Sequence, residues 1–380
     1  MRLTRASVRA HLVEELLPLW ARHGLDRKAG GCWNRLDAGL APMPDGFKRL
    51  VVHARQVYAF GRGVELGAGD WARQSAAHAF EFLVRRFRDE RHGGWFFTTT
   101  DSGEPLDRRK DLYAHAFALF ALAEHQRVFG GDESLRLARE TLGVLRTRLR
   151  DPRGGFVENA AEDFSPNPGP RLQNPQMHLC EAFLALHAVA PAEGALADAA
   201  ELVELLGSRW VDPGTGALGE VFDGSWSPAP GEPGQVVEPG HGFEWYALLQ
   251  RFADLGGTGS ARALAERLLG FAARHGLDAD GGVLDRVDRD GRPLHTTKRL
   301  WPQTEHLKAL AVQLQRAPEP ARRARLASAL ETCTKRYIDP THGGWREQLS
   351  REGRVLSQAQ NATSVYHVVT AFSEVLAAAD

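Results

Sequence analysis

Three cysteines in 380 residues are too few and too scattered for a disulfide framework. Cys32, Cys180 and Cys333 form no C-x-x-C pair. They read as packed, reduced thiols, which predicts a cytoplasmic protein. Net charge is nearly absent: 47 basic and 48 acidic residues leave a formal charge of -1. Such a chain has no field of one sign to draw in nucleic acid or an anionic membrane, so a neutral small molecule is the expected partner. No apolar run approaches the roughly 20 residues of a membrane span. The opening MRLTRASVRAHLVEELLPLW is interrupted by Glu14 and Glu15 and reads as an amphipathic helix rather than a signal peptide. Also missing are a G-x-S-x-G nucleophile elbow, a Walker loop and an H-E-x-x-H metal motif. No linker, low-complexity tract or charge run divides the chain, so residues 1–380 are expected to form one catalytic domain. The remaining composition, 43 % apolar and 25 % charged, is that of a globular protein with a large core.

What the chain does have is a repeat. Asp, followed within a few residues by Gly-Gly and then an aromatic or aliphatic residue, recurs as DRKAGGCW, DERHGGWF, DPRGGFV, DPGTGALG, DADGGVL and DPTHGGW. The fourth copy has Gly216-Ala217 in place of the glycine pair. The second member of each pair falls at 31, 94, 155, 217, 282 and 344, giving spacings of 63, 61, 62, 65 and 62. Asp and paired Gly are turn chemistry. Between turns lie two helical patterns each: 48–66 and 71–89, 110–129 and 133–150, 176–190 and 193–209, 241–255 and 259–275, 302–316 and 318–337. The sixth turn is followed by 362–379 alone, and the N-terminal helix 5–23 supplies the missing partner. Twelve helices in six hairpins predict an all-α (α/α)6 barrel with short β-like turns after the glycine motifs; an open solenoid is the alternative.

The first helix of each pair carries a polar residue at a nearly constant distance from its turn. Arg55 lies 24 residues on, His115 21, His178 23, His241 24, Glu305 23 and His367 23. Buried in a dry core, four histidines, an arginine and a carboxylate would be costly; lining a wet pocket they are usable. Tyr113, Asn174, Trp245, Trp301, Gln303 and Tyr366 lie nearby and suit a sugar, which offers apolar ring faces and many hydroxyls. Trp20 and Trp210 read as core. Loops 157–173 and 221–238 are expected to shape the pocket mouth. His178-x-x-Glu181 and His241-x-x-Glu244 each place a His and a Glu on one helical face, but di-metal bundles favour the reverse order. Proton transfer without metal or other cofactor is therefore expected. Glycoside hydrolysis would need opposed carboxylates, for which Glu244 and Glu305 are the candidates. A non-catalytic sugar-binding protein would leave the histidines unexplained.

The segments KRLVVHARQVYAF (48–60), KDLYAHAFAL (110–119), NPQMHLCEA (174–182), EPGHGFEW (238–245), RLWPQTEHLKA (299–309) and Tyr366-His367 together resemble the N-acylglucosamine 2-epimerase superfamily. EPGHGFEW with NPQMHL is most similar to its bacterial D-mannose isomerases. The resemblance implies an (α/α)6 barrel and metal-independent proton transfer at C2 of an unphosphorylated sugar; a monosaccharide substrate and a monomer or homodimer are expected. It implies that His241 and His367 are the acid–base pair. Arg55, Tyr113, Asn174, His178, Glu244 and Glu305 match sugar-binding or supporting positions, joined by His115, Trp301 and Gln303 from the pocket reading. The expected reaction interconverts D-mannose and D-fructose, or D-lyxose and D-xylulose, through a cis-enediol. Sugar 2-epimerisation at the same site is the alternative. In this scheme His367 takes the C2 proton, and Arg55 and His178 stabilise the developing oxyanion. Glu244 orients His241 or binds a hydroxyl. Glu305 does likewise, or assists ring opening with His241.

Overall fold

A computed structural model describes residues 1–379. Helices occupy nearly the spans that periodicity assigns. Six inner helices are α3 (Leu50–Glu65), α5 (Leu112–Phe129), α7 (Gln173–Val189), α9 (Pro239–Asp254), α11 (Leu300–Arg316) and α13 (Ser364–Ala378). Each packs on the next, and α13 packs back on α3, closing the ring. The outer helices are α4 (Asp70–Arg86), α6 (Asp132–Arg148), α8 (Ala195–Leu205), α10 (Ser260–His275) and α12 (Pro320–Tyr337). The sixth outer position is filled by the N-terminal segment: α1 (Arg5–Ala10), a π-helical stretch His11–Leu16, and α2 (Leu17–His23). Trp20 of this segment stacks on Trp345 of the sixth repeat at 5.2 Å. Both rings are buried, so the first and last repeats share one core. The barrel, not the solenoid, is the fold.

Each Asp–Gly-Gly motif is a tight turn closed by a single β-bridge, such as Leu25 with Cys32 and Arg88 with Trp95. In every copy the Asp N–H donates to the carbonyl of the second pair member, Asp89 to Gly94 at 2.9 Å for example. Gly216 has φ of +83°, whereas Ala217 needs no positive φ, so the fourth copy tolerates a side chain there. A two- or three-residue strand before each inner helix pairs antiparallel with the strand after the next repeat's turn: Phe47–Arg49 with Thr98–Thr100, Arg171–Leu172 with Val221–Phe222. The last of these six pairings joins Arg35–Leu36 to Gln360–Asn361 and closes the circle a second time. No described helix is long and apolar enough to cross a membrane. All three cysteines are buried and unpaired.

Candidate active site

All six inner helices begin at the same end of the barrel. Their first two turns surround a cavity of about 650 Å³, lined by Arg55, Tyr113, Asn174, His178, His241, Glu244, Trp301 and His367 among others. Six helix N-termini facing one space favour negative charge there. The 221–238 loop forms the mouth through Val221, Glu232, Pro233, Val236 and Glu238. The 157–173 loop contributes Leu172 alone.

His241 and His367 face each other across Trp301. Their ring centroids lie 4.9 and 5.6 Å from the indole. Each imidazole has its Nδ1 against a carboxylate, leaving Nε2 for the cavity. His241 Nδ1 donates to Glu220, 3.0 Å from either oxygen. His367 Nδ1 donates to Glu305 Oε1 at 2.7 Å. Despite this likeness the two differ in charge. Burial disfavours both imidazolium forms. At His241, Glu220 and then Glu238 outweigh it, raising the pKa to about 9. At His367 burial acts together with the Arg55 and Lys308 cations, holding the group well below its ordinary value. Near neutrality one histidine is an acid and the other a base, the separation that acid–base catalysis requires.

Glu220 was not among the sequence candidates. It lies three residues after the second member of the fourth turn. The same offset gives Asn34, Phe97, Glu158, Asp285 and Glu347 in the other repeats. Five of these six accept a backbone N–H at the start of the inner helix. Asn34 accepts from Arg49, Glu158 from Leu172, Glu220 from Glu238, Asp285 from Arg299 and Glu347 from Asn361, at 2.6–3.3 Å. The position is a helix cap from outside the helix. Only in the fourth repeat does the capping carboxylate also reach a histidine. Counting three residues past each turn would have found it.

Three expected site residues lie outside the cavity wall: His115, Gln303 and, behind His367, Glu305. His115 is fully buried; its Nε2 accepts the Trp95 N–H at 3.1 Å and its Nδ1 donates to the Asp111 carbonyl at 2.8 Å. It pins its own turn so closely that a Cβ on Gly94 would lie 2.5 Å from Nε2. Gln303 does the same job, accepting from Val283 N–H at 2.8 Å and donating to its carbonyl at 2.9 Å. His53, Gln176 and Gln360 repeat the device on Cys32, Phe156 and Trp345. At the register of Arg55 and His178 the second repeat carries Phe117, buried behind the cavity wall with its ring 4.4 Å from the Arg55 guanidinium and 4.7 Å from His178. Trp245 and Tyr366 are also buried behind the wall. Trp245 Nε1 donates to Gln173 Oε1 at 2.9 Å, and Tyr366 OH donates to Glu181.

Three further roles change. His178 Nδ1 donates to Glu181 Oε2 at 3.1 Å, and burial lowers its pKa to about 4. Its Nε2 is therefore a bare acceptor, suited to a sugar hydroxyl and unsuited to an oxyanion. Glu244 does not orient His241. Both its oxygens are buried without a hydrogen-bond partner, and burial, then Glu305, raises it to about 8, so it stands as a protonated donor in the wall. Glu305 is fully buried behind His367 and salt-bridged to Lys308, out of reach of a glycosidic bond. That removes the opposed carboxylate pair a glycoside hydrolase would need. Arg55 donates to the Tyr113 hydroxyl at 2.7 Å and the Thr363 carbonyl at 2.8 Å, with Nε unengaged. Asn174 Oδ1 also lacks a partner. Glu244, Glu305 and His367 offer ligand atoms within 4.8 Å of one another, but the Lys308 ammonium already sits on Glu305 and 4.0 Å from Glu244. A cation there would meet a cation.

Comparisons with known proteins agree with this architecture. A mannose-6-phosphate isomerase of Rhizobium meliloti (strain 1021) is 35 % identical over 96 % of this chain and 94 % of its own. A cellobiose 2-epimerase of Bacteroides fragilis is 24 % identical over 92 % of each. The solved structure of a D-mannose isomerase superposes with a TM-score of 0.89 over 99 % of this chain and 98 % of that one, at 20 % identity, a likeness of fold. The profile of N-acylglucosamine 2-epimerases matches residues 31–371. The chain is an isomerase or epimerase and belongs to the N-acylglucosamine 2-epimerase family.

Proposed function

We propose that the protein is an aldose–ketose isomerase that interconverts D-mannose and D-fructose, and by the same chemistry D-lyxose and D-xylulose. The observation that carries this reading is the pair of histidines facing one cavity across Trp301, His241 held protonated and His367 held neutral. With the open-chain aldose bound, neutral His367 Nε2 removes the C2 proton. Protonated His241 donates to O1, and the product is a cis-enediol. The proton on His367 then returns to C1 while the O2 proton passes to His241, giving the ketose and restoring both groups. Arg55, with its free Nε, and the inner-helix N-termini stabilise charge developing on the oxygens. Glu244, His178 and Asn174 supply a donor, an acceptor and an amide for hydroxyls.

An unphosphorylated sugar fits the wall. Four glutamates besides the protonated Glu244 (Glu220, Glu232, Glu238 and Glu347) line the cavity against three arginines. Arg286 is paired to Glu238, and Arg299 to Glu238 and Asp285. A phosphate dianion would find no uncommitted pair of arginines there.

The second reading is 2-epimerisation. It is favoured by the charge on His241, which could return the proton to the opposite face of C2, and by the cellobiose 2-epimerase relative. Incubation with D-mannose in heavy water separates the two. Fructose as first product, with deuterium at C1, supports the isomerase; glucose with deuterium at C2 replaces it with the epimerase. Turnover should survive exhaustive chelation, and activity lost to a chelator and restored by a metal would refute the metal-free scheme.

A further inference from the structure

Lys308 stands one turn after Glu305 on α11, buried along the barrel axis beneath the cavity. An ammonium there costs several kcal/mol unless paired. Three carboxylates face it: Glu305 in direct contact, Glu244 from α9 at 4.0 Å, and Glu181 from α7. Also around it are His178 on α7, Tyr366 and His367 on α13 and Arg55 on α3, and on the side away from the site Lys308 shares a second cavity with Tyr58, Glu124, Arg251, Asp254, Arg316 and Glu374. Only Glu305 passes the contact on to the base, through its other oxygen. The equivalent carboxylate on the acid side, Glu220, is held by neutral donors, the Gln173 amide at 2.8 Å and the Glu238 N–H at 3.1 Å.

We propose that Lys308 is the positioning residue that makes His367 a base: its ammonium holds Glu305 as an ionised acceptor, which fixes the His367 proton on Nδ1 and leaves Nε2 bare toward the sugar. This rests on the assignment of His367 as base. It explains how two Glu–His pairs in one cavity leave His241 protonated and His367 neutral. Glu220 has no cation beside it and places its charge on His241. Glu305 is neutralised by Lys308 and cannot draw a second proton onto His367. Without the ammonium, the Glu305–His367 pair takes up a proton, either on the carboxylate or as imidazolium, and the lone pair is lost until higher pH removes it.

The test is the pH profile of kcat for D-mannose in Lys308→Met and Lys308→Arg, with His367→Asn beside them. Lys308→Met should move the acidic limb upward by a unit or more. Turnover at pH 7 then falls about tenfold or further and recovers on the alkaline side, a rescue that loss of packing alone would not give. Lys308→Arg keeps the charge and should leave the limb near its original position. A folded Lys308→Met protein with an unmoved limb overturns the proposal. His367→Asn judges the parent reading separately, because turnover surviving there removes the base itself. Nitrogen-15 histidine spectra of the unsubstituted protein decide the matter even if Lys308→Met does not fold. At pH 7 His367 should be protonated on Nδ1 alone, and an Nε2–H tautomer overturns the proposal.

Discussion

His115 and His241 sit near the start of two inner helices of the same barrel, and they have nothing else in common. His115 has both nitrogens bonded to backbone of its own repeat, one to the Trp95 N–H and one to the Asp111 carbonyl. His241 gives one nitrogen to Glu220 and keeps the other for the cavity. In the first, second, third and fifth repeats the two kinds lie two residues apart, less than one helical turn, yet this turns the side chain from the glycine motif to the inner face; in the sixth, Gln360 stands on the strand seven residues before His367. Two rings therefore run round the barrel. The outer one, His53, His115, Gln176, Gln303 and Gln360, pins turns; the inner one brings Arg55, His178, His241 and His367 to the cavity wall, with Phe117 and Glu305 buried behind them.

Substitutions should separate the rings by size of effect. The largest is expected from His241→Asn and His367→Asn, each lowering kcat by about 10²–10⁴-fold, the range general acid–base catalysis contributes. Circular dichroism should show both folded, and substantial turnover in either would break the two-histidine scheme. Glu220→Gln comes next. Removing the anion destabilises the His241 imidazolium, so its pKa falls from about 9 toward or below its ordinary value. Activity needs the charged form, so the alkaline limb of the kcat profile should move to lower pH; an unmoved limb would return Glu220 to a mere cap. The same carboxylate contributes stability that is fully present below about pH 6.5 and lost as pH rises through about 9. Thermal melting should therefore lose its difference between Glu220→Gln and the parent at alkaline pH. His115→Ala follows, costing about 1–3 kcal/mol by orphaning the Trp95 N–H, with kcat close to the parent. The smallest effect belongs to His115→Gln, since glutamine holds this place in three other repeats. A catalytic defect there would put His115 back in the site.

The fold was legible because its signals are local and repeated. Six turns and two helical periods per repeat define hairpins, and even spacing defines a ring. The site was legible in its cavity-facing members. Arg55, His178, His241 and His367 stand 23 or 24 residues past their turns, and Trp301 and Asn174 lie beside them. His115 and Gln303 were misplaced because an offset of 21 falls a fraction of a turn away, and periodicity alone does not resolve that angle. Glu220 and Lys308 escaped for a different reason. Each acts through a partner distant in sequence or hidden behind the wall, and a carboxylate after a turn or a lysine on a helix is ordinary until its neighbour is known.

The strand pairing between Arg35–Leu36 and Gln360–Asn361, together with α13 against α3, leaves no repeat at an end. In an open array the terminal units have one neighbour and fray first, so melting proceeds inward. Here each unit has two neighbours, and losing any one exposes two interfaces at once. Denaturation should accordingly be a single steep transition, with the hydrogen-exchange protection of the first and last repeats equal to that of the middle ones.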